Sequence, residues 1–116
     1  KQDGGVVILL GSITGEEGSD SSVAYSAAKS ALMNGVVKSL AMCGAKYGIR
    51  VCTVAPGPVL TRPGMAAMKT IMGRAADPQE IVDMILYLAS DKAKFVTGTS
   101  FLIDGGRNIM LNKDWD

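Results

Sequence analysis

Val6, Val7, Ile8, Leu9 and Leu10 form an unbroken apolar run that stops at Gly11. Five residues are far too few to cross a bilayer, which takes about 20. The run also lacks the alternation of a strand with one wet face. Continuous hydrophobicity predicts a strand covered on both faces, as in a parallel sheet. Residues 50–55 predict a second strand, ended by Pro56-Gly57, and residues 100–103 a third. Between the first two, the sequence predicts a helix over 23–46 with small or apolar residues at 24, 27, 28, 31, 32, 35, 36, 40 and 43, one helical stripe. Much of that stripe is Ala and Gly, so a partner can come close: the sheet, another subunit's helix, or both. Gly48 is the expected stop. Asp77-Pro78-Gln79-Glu80 predicts a capped start for a second helix with Pro in its first turn, continuing to about Ser90 on Ile81, Met84, Ile85 and Leu88. A polar tail follows from Arg107. Strand–helix–strand–helix–strand is the order of a parallel α/β fold with right-handed crossovers. Its first strand is expected to present an apolar edge that only a preceding strand could cover.

Composition excludes several functions. With 116 residues, 47% of them apolar, the chain is one domain or part of one. A net charge of +1 with interspersed signs gives no footprint for nucleic acid or membrane. Residues 1–5 do not have the character of a signal peptide. Cys43 and Cys52 suit buried thiols in a reducing cytoplasm better than a disulfide framework. The absence of histidine removes His-based triads and makes a metal site improbable.

The chemistry-bearing residues are Ser12, Tyr25 and Lys29. Positions four apart share a helix face, so Lys29 can sit beside the Tyr25 ring and its oxygen. At an effective dielectric near 20, two unit charges about 4 Å apart interact by roughly 4 kcal/mol, enough to ease ionisation of a phenol. A Tyr followed by a Lys at this interval is also an ordinary solvated pair, so the spacing alone does not define a site. Gly11-x-x-x-Gly15-x-x-Gly18 resembles a phosphate-cradling turn only superficially. Glu16, Glu17 and Asp20 stand where an anion would have to bind. Read as a loop, its glycines bring Ser12 over the Tyr25–Lys29 face.

Taken together, three stretches make the chain resemble the short-chain dehydrogenase/reductase family. Ser12-x-x-Gly15 precedes Tyr25-Ser26-Ala27-Ala28-Lys29 at the family's interval. Ile49-Arg50-Val51 and Val54-Ala55-Pro56-Gly57-Pro58-Val59-Leu60-Thr61 are similar to its strand, Pro-Gly turn and Thr. Thr97-Gly98 and Leu102-Ile103-Asp104-Gly105-Gly106 look like its last strand and terminal turn. The likeness runs from about residue 3 to residue 106.

This resemblance implies a Rossmann-like, doubly wound parallel sheet, of which the chain is the C-terminal half (β-α-β-α-β of a three-layer α/β/α sandwich). The family's Gly-rich cofactor-binding half is expected to be missing from residues 1–116. It also implies an NAD- or NADP-dependent oxidoreductase of the ketoreductase/dehydrogenase branch, acting on a carbonyl or secondary alcohol. Tyr25 would be the general acid/base, Lys29 its electrostatic partner and a ribose ligand, and Ser12 a donor to the substrate oxygen. Pro56, Gly57, Val59 and Thr61 would line the nicotinamide. Met65 and Met68, with Met72, fall where the family covers its substrate, although a Met stripe also suits a core. A homodimer or homotetramer through the 23–46 helix and the 77–104 region is expected. Two departures stand out: Cys43 replaces a usual Glu and Cys52 a usual Asn. A non-catalytic dimerisation module and an epimerase or dehydratase on the same scaffold remain alternatives.

Overall fold

The computed structural model describes residues 4–61, 64 and 68–110. Three parallel strands, β1 (Gly5–Leu10), β2 (Ile49–Pro56) and β3 (Thr99–Ile103), lie in the order β1-β2-β3. A short helix α1 (Thr14–Glu17) follows β1. The long connection to β2 is built from α2 (Val23–Ala31) and α3 (Val37–Ala45), and α4 (Pro78–Ala89) precedes β3.

The strand covered on both faces is β2 and not β1. Val51, Cys52, Thr53, Val54 and Ala55 are all buried. Side chains of successive residues point to opposite faces, and two cores form accordingly. Val51 and Leu9 pack with Val37 and Ala41 of α3. Val54, Ile8, Phe101 and Ile103 pack with Ile81, Leu88, Met84 and Ile85 of the α4 side. This is the expected layered α/β arrangement. β1 departs from the covered strand expected of its sequence: Val7 and Leu10 are 43% and 55% exposed. The reason is order in the sheet: among the described residues β1 pairs with β2 alone, which leaves the apolar edge expected of it.

The predicted single helix is broken by a π-turn, Leu32–Val36. A widened turn re-aims the backbone. Here the Leu32 carbonyl accepts from Thr53 Oγ1 at 3.2 Å and the Met33 carbonyl from Ser100 Oγ at 2.6 Å, tying the turn to two strands. The stripe facing the sheet is Met33, Val37 and Ala41. The predicted stripe is turned outward instead, with residues 24, 27, 28, 31, 35, 36, 40 and 43 exposed and only Leu32 half-buried. Both faces of this helix are apolar, and the carbonyl bonds of the π-turn to Thr53 and Ser100 go with the face that carries Met33, Val37 and Ala41 being the one buried.

Gly48, at φ 70°, ends the connection as expected. α4 starts with the predicted capping box: Asp77 accepts from Gln79 N–H and Glu80 from Asp77 N–H, each at 2.9 Å. The expectation of two buried thiols holds for Cys52 only; Cys43 is exposed. Among the described residues, no helix is long and apolar enough to cross a membrane and no cluster of candidate metal ligands occurs.

Candidate active site

β1 ends at Leu10 opposite Val54, β2 and β3 end at the paired Pro56 and Ile103, and the candidate residues gather at that edge. Ligands of open α/β sheets bind outside the carboxyl ends of their strands. Leaving β1, the chain is held to β2 by Gly11 N–H to Val54 O (2.8 Å) and Ile13 N–H to Pro56 O (3.1 Å). Ser12 is fixed between these two bonds, and its Oγ accepts from Thr14 N–H at 3.2 Å. Gly15 then passes so close to α2 that a Cβ there would lie 2.8 Å from Ser30 N. Ser26 Oγ closes the contact by donating to Thr14 O at 2.9 Å. These bonds dock the Ser12 segment on the helix that carries Tyr25 and Lys29.

Lys29 Nζ lies over the Tyr25 ring, 5.6 Å from its centroid, and donates to the Leu10 carbonyl at 3.0 Å. A cation at this range is attracted to the ring face. The arrangement keeps a positive charge beside a half-exposed phenol.

A cleft of about 570 Å³ contains Ser12, Tyr25, Lys29, Pro56, Gly57, Val59, Thr61 and Met68. Residues from three distant stretches therefore share one concavity. Thr61 N–H donates to Val59 O at 2.7 Å and Thr61 Oγ1 lies 3.5 Å from the same oxygen. Gly57 N–H donates to Ile103 O at 3.0 Å, tying the Pro-Gly turn to β3. Met65 lies outside the described residues. Met72 is exposed and is not among the cleft's lining residues.

One wall was not anticipated. Pro78, Ile81, Val82 and Ile85 of α4 also line the cleft. The Ile81/Ile85 pair was legible as a helical stripe, but a stripe does not say whether it meets the core or a cavity.

The profile of the family described as enoyl-(acyl carrier protein) reductase matches residues 1–108. The chain belongs to the short-chain dehydrogenase/reductase family. It is 44% identical to trans-4-hydroxycyclohexanecarboxylate dehydrogenase of Sinomonas cyclohexanicum, over 97% of this chain and 44% of that protein. The fold is similar to that of BdcA in complex with NADPH, with a TM-score of 0.80 and 32% identity over 90% of this chain and 46% of that one. It is likewise similar to 4-hydroxyisoleucine dehydrogenase complexed with NADH, with a TM-score of 0.78 and 37% identity over 87% and 45% of the two chains. The chain thus spans less than half the length of these relatives. The Rossmann-type reading of the fold agrees with these neighbours.

Proposed function

We propose that this chain carries the reacting end of an NAD(P)-dependent oxidoreductase that moves a hydride between a nicotinamide cofactor and a carbonyl or secondary alcohol. In this reading it is the C-terminal part of one Rossmann-like domain. The observation that carries the proposal is the meeting of Ser12, Tyr25 and Lys29 with the Pro56–Thr61 turn in one cleft at the carboxyl ends of the strands. The relatives named as dehydrogenases, and neighbours with NADPH or NADH bound, support it.

The cleft suits a nicotinamide. Pro56, Gly57 and Val59 line it from the Pro-Gly turn, and Lys29 lines it from the opposite stretch of chain, with its ammonium on the Leu10 carbonyl. When bound, the cofactor supplies or accepts the hydride. Tyr25 Oη gives a proton to the carbonyl oxygen during reduction and takes it back during oxidation. The Ser12 hydroxyl donates to the same oxygen and so aims the carbonyl. Lys29 lies beside the phenol and would meet the ribose hydroxyls of a bound cofactor. Thr61 and the Val59 backbone would hold the carboxamide of a bound cofactor, while Met68 lines the part of the cleft that would take the apolar part of the substrate. The outward stripe of small residues on α2 and α3, together with the 77–104 region, forms the contact of a homodimer or homotetramer.

A second reading, enoyl reduction, is favoured by the description of the matching family profile. Its expected Tyr–Lys spacing is wider than the interval from Tyr25 to Lys29. The deciding experiment supplies the full-length protein with NAD or NADP and trans-4-hydroxycyclohexanecarboxylate or a panel of simple ketones and alcohols. A trans-2-enoyl thioester serves as the other arm. Nicotinamide turnover with the ketones or alcohols, lost in Tyr25→Phe, is the expected result. Turnover of the thioester alone would overturn the carbonyl reading.

A further inference from the structure

The Asp104–Arg107 turn caps itself. Asp104 Oδ1 accepts from Gly106 N–H at 3.0 Å and Oδ2 from Asn108 N–H at 2.9 Å. It also grips the segment that runs on from Met68. Arg107 Nη1 donates to Lys69 O at 2.8 Å, and Met72 N–H donates to Gly105 O at 3.3 Å. Gly106, at φ 82°, has no room for a Cβ because the Ile71 side chain occupies that space. Gly105 comes almost as close to Thr70, with 3.1 Å between a Cβ built there and Thr70 Cβ.

Arg107 faces a second element as well. Its Nε lies 3.6 Å from Glu17 Oε2, and the two side chains are only 9% and 16% exposed. Glu17 ends α1, the helix that begins two residues after Ser12. One buried guanidinium thus touches both the segment beside Met68 and the segment beyond Ser12. A buried charge is costly unless it is paired, and both of these contacts fall just behind the cleft: Lys69 adjoins Met68 and Glu17 lies on the helix that follows Ser12, the two lining residues.

We propose that Arg107 is a positioning residue that ties the Met68 wall of the cleft to the Ser12 segment and so sets the width between them. Its functional meaning rests on the cleft being the reacting site. Its mechanical meaning does not.

The test is amide hydrogen exchange on the full-length protein and its Arg107→Met, Arg107→Lys and Glu17→Gln variants. In Arg107→Met, exchange at 68–72 is expected to rise about tenfold or more, the scale of losing one charge-assisted hydrogen bond, while the Ile81 and Leu88 amides of α4 stay protected. Arg107→Lys, which keeps a donor for Lys69 O, should restore part of the protection. Should Arg107→Met fail to fold, Glu17→Gln carries the test, with a smaller rise at 68–72 accompanied by one at the Glu17 and Gly18 amides of α1. Unchanged exchange at 68–72, or an equal rise throughout α4 and β2, overturns the proposal. Because exchange needs no turnover, a protein inactive on every probe that still shows the localised rise would count against the catalytic reading alone.

Discussion

Lys29 spans from α2 to the last residue of β1, its Nζ 3.0 Å from the Leu10 carbonyl and 5.6 Å from the centre of the Tyr25 ring. The same ammonium therefore registers the helix against the sheet and charges the surroundings of the phenol. Lys29→Met should leave the fold intact, because the Leu10 carbonyl at the strand end can take water instead. Cofactor affinity should fall about tenfold to a hundredfold, the scale of one lost hydrogen bond to a charged donor. Titration monitored by the cofactor's own fluorescence measures this, and equal affinity would detach Lys29 from cofactor binding.

Tyr25 is half-exposed, and removing its hydroxyl opens no cavity. Tyr25→Phe should melt at the wild-type temperature yet lose roughly a hundredfold to ten-thousandfold in rate, the usual contribution of a positioned acid/base. Equal rates for the two proteins would remove Tyr25 from the chemistry.

The start of α4 should be acid-sensitive. Arg74 grips Glu80 with two hydrogen bonds, Nη1 to Oε1 at 2.7 Å and Nη2 to Oε2 at 2.8 Å. That fork, then the Asp77 N–H, lowers the Glu80 carboxyl from 4.5 to about 2. A carboxyl lowered on folding adds stability above its unfolded value, and that gain fades as pH falls through the folded value. Wild type should thus outlast Glu80→Gln in thermal melts above about pH 4.5, with the gap closing toward about pH 2. The pair is half-exposed, so added salt should narrow the gap too. A gap that ignores pH would show that the fork does not matter.

The two thiols should react very differently. Cys43 is exposed, whereas Cys52 is buried in β2 and desolvation raises its pKa, with the Arg50 charge opposing. The thiolate is the nucleophile, so a maleimide should reach Cys52 only on unfolding, whereas Cys43 should label in the single chain and be shielded where the α2–α3 stripe meets a second copy. Early labelling of Cys52 would mean that β2 opens far more readily than its packing implies.

Much of this architecture was legible from local chemistry. The strands at 6–10, 50–55 and 100–103, the capping box at Asp77 and the stop at Gly48 each follow from short-range rules, and the structure contains all of them. The Tyr25–Lys29 pairing on one helix face was legible for the same reason: four residues of helix bring it about wherever that helix packs.

What the sequence could not decide was which apolar surface meets which. Helix 23–46 has two apolar faces of similar length, and only packing against β2 chose Met33, Val37 and Ala41 over the Ala-rich stripe. The π-turn needed Thr53 and Ser100 on neighbouring strands to bind its carbonyls. The reach of Arg107 to both Glu17 and Lys69 joins residues 38 or more positions apart, and the α4 wall shares its cleft with residues as distant as Ser12. Local sequence determines conformation because its interactions are decided within a few bonds. Contacts across such distances exist only once the sheet has set every element's position, and that is why the cleft's shape belonged to the tertiary structure.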